Sequence, residues 1–332
     1  MIPQKYTRLV FKLILAVIAI ILLLRLNERI KNKDENDQSF DDLKRLMLEA
    51  EEENWSRLLR IEKVCKRYNL GMYENPDKSV RYKVPPAPQY SIFYFDRVHN
   101  ISYCPIYKAG STTWLYNLCI LNNVPEEEIN DGKEQISSIS RRVMPELEYP
   151  EADEVLGKSG KLLVVRHPFE RLLSAYRDKL ENSTVRQEHG TWHFYKKYGS
   201  EIVRKYREEK SSRVEPTWRE FVNYLIDSDL VKADDHWIPY YYYCTPCSVK
   251  YDIVAKVETL KRDQIFAIEK LKLRGKLQPK WRHGNSLSGA SKIYFRQLSK
   301  KMVHDLFDKF KLDFELFDYS PDLYYQYADS DH

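Results

Sequence analysis

The sequence predicts an α/β domain, a parallel sheet flanked by helices, preceded by a membrane-directed segment and a helical stem. Three observations carry this expectation. Short β-rich runs at residues 91–95, 101–107, 161–165 and 251–257 alternate with helical patterns at 112–121, 169–180, 218–226 and 299–310, and strand-then-helix alternation builds parallel sheets covered by helices. Of the 332 residues 43% are hydrophobic, with only ten Gly and fifteen Pro, which excludes a collagen-like, low-complexity or wholly disordered chain. Residues 9–24, LVFKLILAVIAIILLL, form one apolar run interrupted only by Lys12.

Residues 1–8 read as a cytoplasmic tail and 9–26 as a signal anchor. The run is short of the about 20 apolar residues of a spanning helix, but Leu26 extends it and Lys12 and Arg25 can snorkel. Arg25-Leu26-Asn27-Glu28-Arg29 offers no small-residue cleavage site, which favours an anchor over a cleaved signal peptide. Lys and Arg flank both ends alike, so orientation rests on the N-glycosylation tripeptides Asn54-Trp55-Ser56, Asn100-Ile101-Ser102 and Asn182-Ser183-Thr184, usable only from the lumen. Residues 27–88 then read as a lumenal stem, in which Phe40, Leu43, Met47, Ala50, Leu58, Ile61 and Cys65 recur at helical spacing. Its few clean heptads allow a homodimer without requiring one. Pro85-Pro86-Ala87-Pro88 breaks the helix and opens a domain over residues 89–332.

The formal charge of +5 is too modest to imply generic nucleic-acid binding, so no nucleic-acid partner is expected. Its distribution is uneven. Residues 270–301 carry ten Lys or Arg and no Asp or Glu, which suits a solvated face or a surface for an anionic ligand. Five cysteines, Cys65, Cys104, Cys119, Cys244 and Cys247, would partly pair in an oxidising lumen, in a connectivity that spacing leaves open. Cys244-Thr245-Pro246-Cys247 lacks the second Cys/His pair of a zinc site, so no metal is expected.

Chemistry concentrates in two stretches. In the first, Tyr107-Lys108-Ala109-Gly110-Ser111-Thr112-Thr113 joins a strand to a helix. Gly110 lets backbone approach a ligand, Ser111, Thr112 and Thr113 bring hydroxyls and amides to the helix start, and Lys108 adds a cation. Together they make an anion cradle. It is no Walker loop, because the lysine precedes the glycine, and an ordinary polar-capped turn would share the pattern. In the second stretch an apolar strand ends at Arg166, Pro168 suits a first helical position, and Phe169, Leu172, Leu173, Tyr176 and Leu180 form one buried face. Arg166 thus falls at a strand's carboxyl end, where open α/β sheets bind ligands, with Ser174 placed to share a phosphate. A surface ion pair for Arg166 and a back-bonded hydroxyl for Ser174 are the plainer alternatives, and Arg177 and Asp178 read as a helix-surface pair.

A lysine in a strand-loop-helix, followed by Arg166-His-Pro168-Phe-Glu170-Arg171-Leu-Leu-Ser174, resembles the Golgi carbohydrate sulfotransferases, in particular the branch of chondroitin and dermatan 4-O-sulfotransferases. The likeness continues through Trp192 to Gly199, His236-Trp237, Cys244-x-x-Cys247, Tyr251-Asp252, Lys256-Val-Glu258-Thr-Leu260 and Lys311 to Tyr319. It implies a P-loop-NTPase-like sulfotransferase fold, a single-pass type II enzyme of the Golgi membrane with a lumenal catalytic domain, and 3′-phosphoadenosine 5′-phosphosulfate as cosubstrate without a metal. By the same likeness Tyr107, Lys108, Ala109, Gly110, Ser111, Thr112 and Thr113 hold the 5′-phosphosulfate, and Arg166 with Ser174 holds the 3′-phosphate. The implied acceptor is an anionic glycan of the chondroitin/dermatan type, sulfated at O-4 of GalNAc. One departure stands out: the branch commonly reads P-K-V-A-C-T-N-W where this chain has Tyr107 to Trp114, keeping the lysine, a loop hydroxyl and the Trp.

Sulfuryl transfer asks the protein mainly for positioning and charge stabilisation, and Lys108 is the expected electrophilic partner. An acceptor hydroxyl must also lose its proton. His236 is the leading base because Asp234 or Asp235 can orient its imidazole, with packing beside Trp237 as the plain alternative. Glu258 and a carboxylate among Glu126 to Glu128 are further candidates; the likeness implies Lys292 near the nucleotide, and of Tyr240 to Tyr243, which must point in different directions, some can stack on sugar rings while others are core. Two other classes compete: a glycan-binding protein of this fold without turnover, and a nucleotide-dependent kinase, which lacks its Walker lysine and signature motifs here.

Overall fold

The computed structural model describes residues 41–75, 87–183, 191–208, 213–279 and 289–329. The chain divides into two compact units, Met1–Glu51 and Glu52–His332. The expected tail, the anchor at 9–26 and the first part of the stem lie outside the described residues; among those described, no helix is long and apolar enough to cross a membrane. In the first unit, residues 41–51 are helical.

The second unit opens on helix α1, residues 52–68, and is built around four strands in the order β1 (Tyr94–Asp96), β2 (Ile101–Cys104), β3 (Gly160–Val165) and β4 (Ile253–Lys256). The last three are parallel as expected; β1 is antiparallel to β2, so the sheet is mixed and not wholly parallel. Connection length is the reason. Residues 97–100 join β1 to β2, with Asn100 at φ +58°, and a parallel crossover needs about a dozen residues or more. The β2–β3 crossover carries α2 (Ser111–Leu121), α3 (Glu126–Asn130), α4 (Ile136–Val143) and α5 (Glu151–Lys158). Between β3 and β4 lie α6 (Pro168–Lys179), α7 (Thr191–Phe194), α8 (Ser200–Tyr206), α9 (Trp218–Asp227) and α10 (Tyr240–Tyr243). The chain continues through α11 (Leu260–Lys270), α12 (Ala290–Phe295), α13 (Lys300–Phe317) and α14 (Asp322–Tyr327).

Every residue of β2 is buried, as are the last four of β3, which is why β3 reads as an apolar run instead of alternating. One core joins Ile61 and Val64 of α1 to Phe95, Leu163, Val165 and Val254. A second gathers Phe169, Leu172 and Tyr176 of α6 with Phe221 of α9 and Phe310 and Phe314 of α13. Helix α13 outruns the expected 299–310 because Phe310, Phe314 and Phe317 keep the helical period and are buried; it stops where Asp318 turns left-handed at φ +55°.

From Glu52 onward the segment expected as stem belongs to the compact unit of the domain. Asn54 donates its Nδ2–H to the Asp252 carbonyl at 3.0 Å and accepts the Val254 N–H at Oδ1 at 2.9 Å. Arg57 donates to the Val254 carbonyl at 2.8 Å and to Asp263 at 2.5 Å. These side chains satisfy the outer edge of β4 as a further strand would. Asn54, 6% exposed with both amide atoms engaged, is therefore a structural residue with no room for a glycan, whereas Asn100 is exposed at the β1–β2 turn.

The disulfides are Cys65–Cys247 and Cys104–Cys244, and Cys119 is a buried free thiol. Both sulfurs of the Cys244-x-x-Cys247 pair are thus spent on separate crosslinks. Beside the first crosslink, Gly71 sits at φ +57° so close that a Cβ would lie 2.2 Å from the Cys247 carbonyl oxygen, which only glycine permits.

Candidate active site

The carboxyl ends of β2 and β3 deliver two adjacent loops to one edge of the sheet. After Cys104 the chain turns into α2 through two left-handed residues, Lys108 at φ +68° and Gly110 at φ +77°. Gly110 is the N-cap of α2 and carries no capping side chain. The start of an α-helix is the positive end of its dipole, and although the Thr113 amide is taken by the Gly110 carbonyl at 3.1 Å, the absence of a capping side chain suits this start to an anion. The Lys108 ammonium lies 3.3 Å from Asp178 Oδ2.

Beyond β3, Arg166 leads into α6, whose first turn is set by Pro168 and by the His167 Nδ1, which accepts the Phe169 N–H at 3.3 Å. The Arg166 guanidinium turns back towards the first loop, 3.4 Å from the Lys108 carbonyl and 3.4 Å from Glu170 Oε2. Both contacts are at the long end of hydrogen bonding. Ser174 and Asp178, one helical turn apart on α6, continue the same wall.

His236 arrives from a loop on no strand. Its Nδ1 is 2.7 Å from Asp234 Oδ1, and the same carboxylate oxygen accepts the His236 N–H at 3.1 Å; Asp234 Oδ2 takes the Tyr198 hydroxyl at 3.0 Å. The imidazole stacks on Tyr107, with centroids 4.7 Å apart and planes 19° apart, and meets the Phe194 ring edge-on at 5.1 Å. Burial lowers the His236 pKa from the ordinary histidine value against the opposing hydrogen bond to Asp234, aided by the charges of Lys179 and Lys108. Asp234 itself is held below the usual carboxylate range: burial opposes, but the bonds to His236 and Tyr198 outweigh it. An Nδ1–H directed at Asp234 leaves the Nε2 lone pair for chemistry.

Tyr107, Lys108, Gly110, Ser111, Thr112, Thr113, Arg166, Ser174 and His236 all border one cleft of about 970 Å³. Ala109 is the exception. Its methyl is fully buried in the core and its amide is spent on the Ile106 carbonyl at 3.1 Å, since the apolar residue of this turn takes the inward side. Glu126, Glu127, Glu128 and Glu258 do not border the cleft. Glu258 accepts from the His167 amide at 2.8 Å and the Tyr319 hydroxyl at 2.9 Å, Glu126 accepts from Tyr116, and Glu128 pairs with Arg142. Tyr240, Tyr241 and Tyr243 are buried, so they offer no platform for sugar rings. Lys292 is exposed and away from the cleft border, although Ala290 reaches it; residues 280–288 lie outside the described residues. Arg177 and Asp178, expected as a helix-surface pair, also border the cleft, and so do Lys179 and Phe194, which carry no expected role in the site from sequence alone. For Asp178 a signal existed, since i,i+4 spacing puts it on the face of Ser174.

The profile of the sulfotransferase family matches residues 91–320. Carbohydrate sulfotransferase 11 of Mus musculus is 30% identical over 239 residues, covering 68% of this chain and 66% of its own. Carbohydrate sulfotransferase 14 of Danio rerio is 30% identical over 234 residues, covering 67% and 60% respectively. Carbohydrate sulfotransferase 8 of Mus musculus is 30% identical over 274 residues, covering 78% and 62%. The chain therefore spans somewhat under two thirds of the length of these relatives. No solved structure matches it. Since the matched span encloses all four strands, both motif loops and His236, the chain belongs to the sulfotransferase family.

Proposed function

We propose that this chain transfers a sulfuryl group from 3′-phosphoadenosine 5′-phosphosulfate to a carbohydrate hydroxyl, and that the acceptor is an anionic glycan of the chondroitin/dermatan type, modified at O-4 of GalNAc. The observation that carries the reading is convergence: Lys108 with the start of α2, Arg166 with Ser174, and His236, whose ring is held by Asp234, border one cleft. The relatives are carbohydrate sulfotransferases by name, which supports the reaction class. The proposed setting is the Golgi lumen, with residues 9–26 as a type II membrane anchor. Two disulfides support it, because such crosslinks persist in oxidising compartments.

A donor with two anionic groups is supported by the two sets of anion-binding groups on this cleft, the α2 start with Lys108 and Arg166 with Ser174. When bound, the donor supplies a sulfuryl group whose departure leaves negative charge on the oxygen it was attached to. Lys108 and the α2 amides hold that end and stabilise the charge. Arg166 and Ser174 hold the other phosphate and so fix the orientation. At the acceptor hydroxyl, His236 Nε2 takes the proton: the O–H bond breaks as the N–H bond forms. Burial keeps the imidazole neutral and ready to accept, and Asp234 stabilises the imidazolium that results.

The test is to give the full chain in detergent radiolabelled donor and a panel of desulfated glycosaminoglycans. Label in chondroitin or dermatan, located at O-4 by product analysis, is the expected result. Transfer to no acceptor overturns the enzymatic reading; label at another hydroxyl overturns only the choice of branch.

A further inference from the structure

We infer that Arg171 is the positioning residue of this site: its buried guanidinium sets the spacing between the loop that carries Lys108 and the loop that carries His236. What those loops do rests on the proposed function; the clamp is read from geometry. Arg171 lies on α6, is 1% exposed, and among the described residues makes no direct ion pair, although the charges of Asp313 and Asp235 favour its protonated form against burial. A buried charge without a direct ion pair is costly unless its donors are matched. Here the match is made by three backbone carbonyls. Nε donates to Tyr107 at 3.0 Å, one terminal nitrogen to Ile238 at 2.6 Å and the other to Asp235 at 2.9 Å.

Tyr107 immediately precedes Lys108, and Asp235 immediately precedes His236. One rigid fork thus holds the two loops, and the Tyr107–His236 ring stack at 4.7 Å lies across the interval it sets. The clamp also reaches the third loop. The guanidinium sits 4.9 Å over the Tyr240 ring, and the Tyr240 hydroxyl donates to the Arg166 carbonyl at 2.7 Å. A lysine at position 171 presents a single head in place of the planar fork and cannot reproduce three divergent bonds.

The experiment uses the full chain in detergent and first reads His236 without turnover. Carbethoxylation of the His236 imidazole is followed by peptide mass spectrometry, with alkylation of the buried thiol Cys119 as the reporter of unfolding and exposed His304 as the reagent control. In Arg171→Lys, His236 is expected to react severalfold faster while Cys119 stays protected and His304 is unchanged. In parallel kcat falls by about 100-fold, the scale of an ångström-level misplacement, while affinity for adenosine 3′,5′-bisphosphate holds. Arg171→Met, which removes the charge along with the fork, is the second variant. An unchanged His236 rate and kcat in a variant whose Cys119 is protected overturns the inference. Cys119 exposed in both variants overturns it too, by making Arg171 a general fold element. A wild type that transfers no sulfate to any acceptor overturns the proposed function and leaves the His236 readout standing.

Discussion

Burial and a carboxylate pull His236 in opposite directions, and burial prevails. The sign matters for activity. With the folded pKa below the ordinary histidine value of about 6.5, the neutral, proton-accepting form persists into mildly acidic solution. The profile of kcat/KM against pH, which reports the free enzyme, is then expected to show an acid limb centred below that value and a plateau above it; a limb at or above it contradicts His236 as the base. His236→Gln is expected to lower kcat by about 10²- to 10⁴-fold with affinity for adenosine 3′,5′-bisphosphate retained. Lys108→Ala, measured the same way, is expected to lower kcat by about 10²- to 10³-fold, as loss of one group facing developing charge does. The sequence shows a histidine after two aspartates without saying which one serves it. The choice falls to Asp234 because a turn two residues long brings its carboxylate onto both the amide and the ring of His236. Asp235 instead gives its carbonyl to Arg171, and burial together with the charge of Asp234 raises its pKa.

Helices announce themselves locally, and α2 and α6 begin and end within one residue of the expected 112–121 and 169–180. Their signals, a polar start and Pro168 ahead of an apolar period, lie inside the helix itself. What local patterns cannot show is the partner of a face. The apolar spacing of α1 was legible, but its docking on β4 through Asn54 and Arg57 was not, since hydrogen bonds across 198 and 197 residues leave no periodic trace. Asn54→Ala leaves the Val254 amide and the Asp252 carbonyl without a partner and is expected to destabilise the domain by about 1–3 kcal/mol in denaturant unfolding. The same variant should show no loss of glycan mass. At the start of α2, an alanine methyl at Gly110 would meet only ordinary contacts, at 3.8 Å to Leu260 and Val257, so any cost comes from φ +77°. Gly110→Ala is expected to cost about 1–2 kcal/mol of stability, or to weaken nucleotide binding where the loop relaxes instead, as calorimetry would resolve.

In the whole domain, the meeting of Lys108 and Arg166 follows from topology, for their loops leave the same ends of two neighbouring parallel strands. His236 has no such guarantee. It stands on a loop between α9 and α10, and tertiary ties bring it to the cleft: Arg171 from inside, and the Cys104–Cys244 disulfide, which joins the end of β2 to the end of α10. The two disulfides should therefore differ in what they protect. Each closes a long stretch, with sequence separations of 182 for Cys65–Cys247 and 140 for Cys104–Cys244, so removing either is expected to lower unfolding free energy by about 2–5 kcal/mol. Cys65–Cys247 anchors α1, none of whose residues borders the cleft among those described. Cys104 lies three residues before Tyr107 and Cys244 eight after His236, so that crosslink spans the stacked pair. Cys65→Ser with Cys247→Ser should lower Tm and leave the kcat of the folded chain near wild type. Cys104→Ser with Cys244→Ser should lower Tm comparably and also lower kcat, at a temperature where both variants remain folded by circular dichroism. Equal kcat in the two double variants would show that the loop bearing His236 is held without its crosslink.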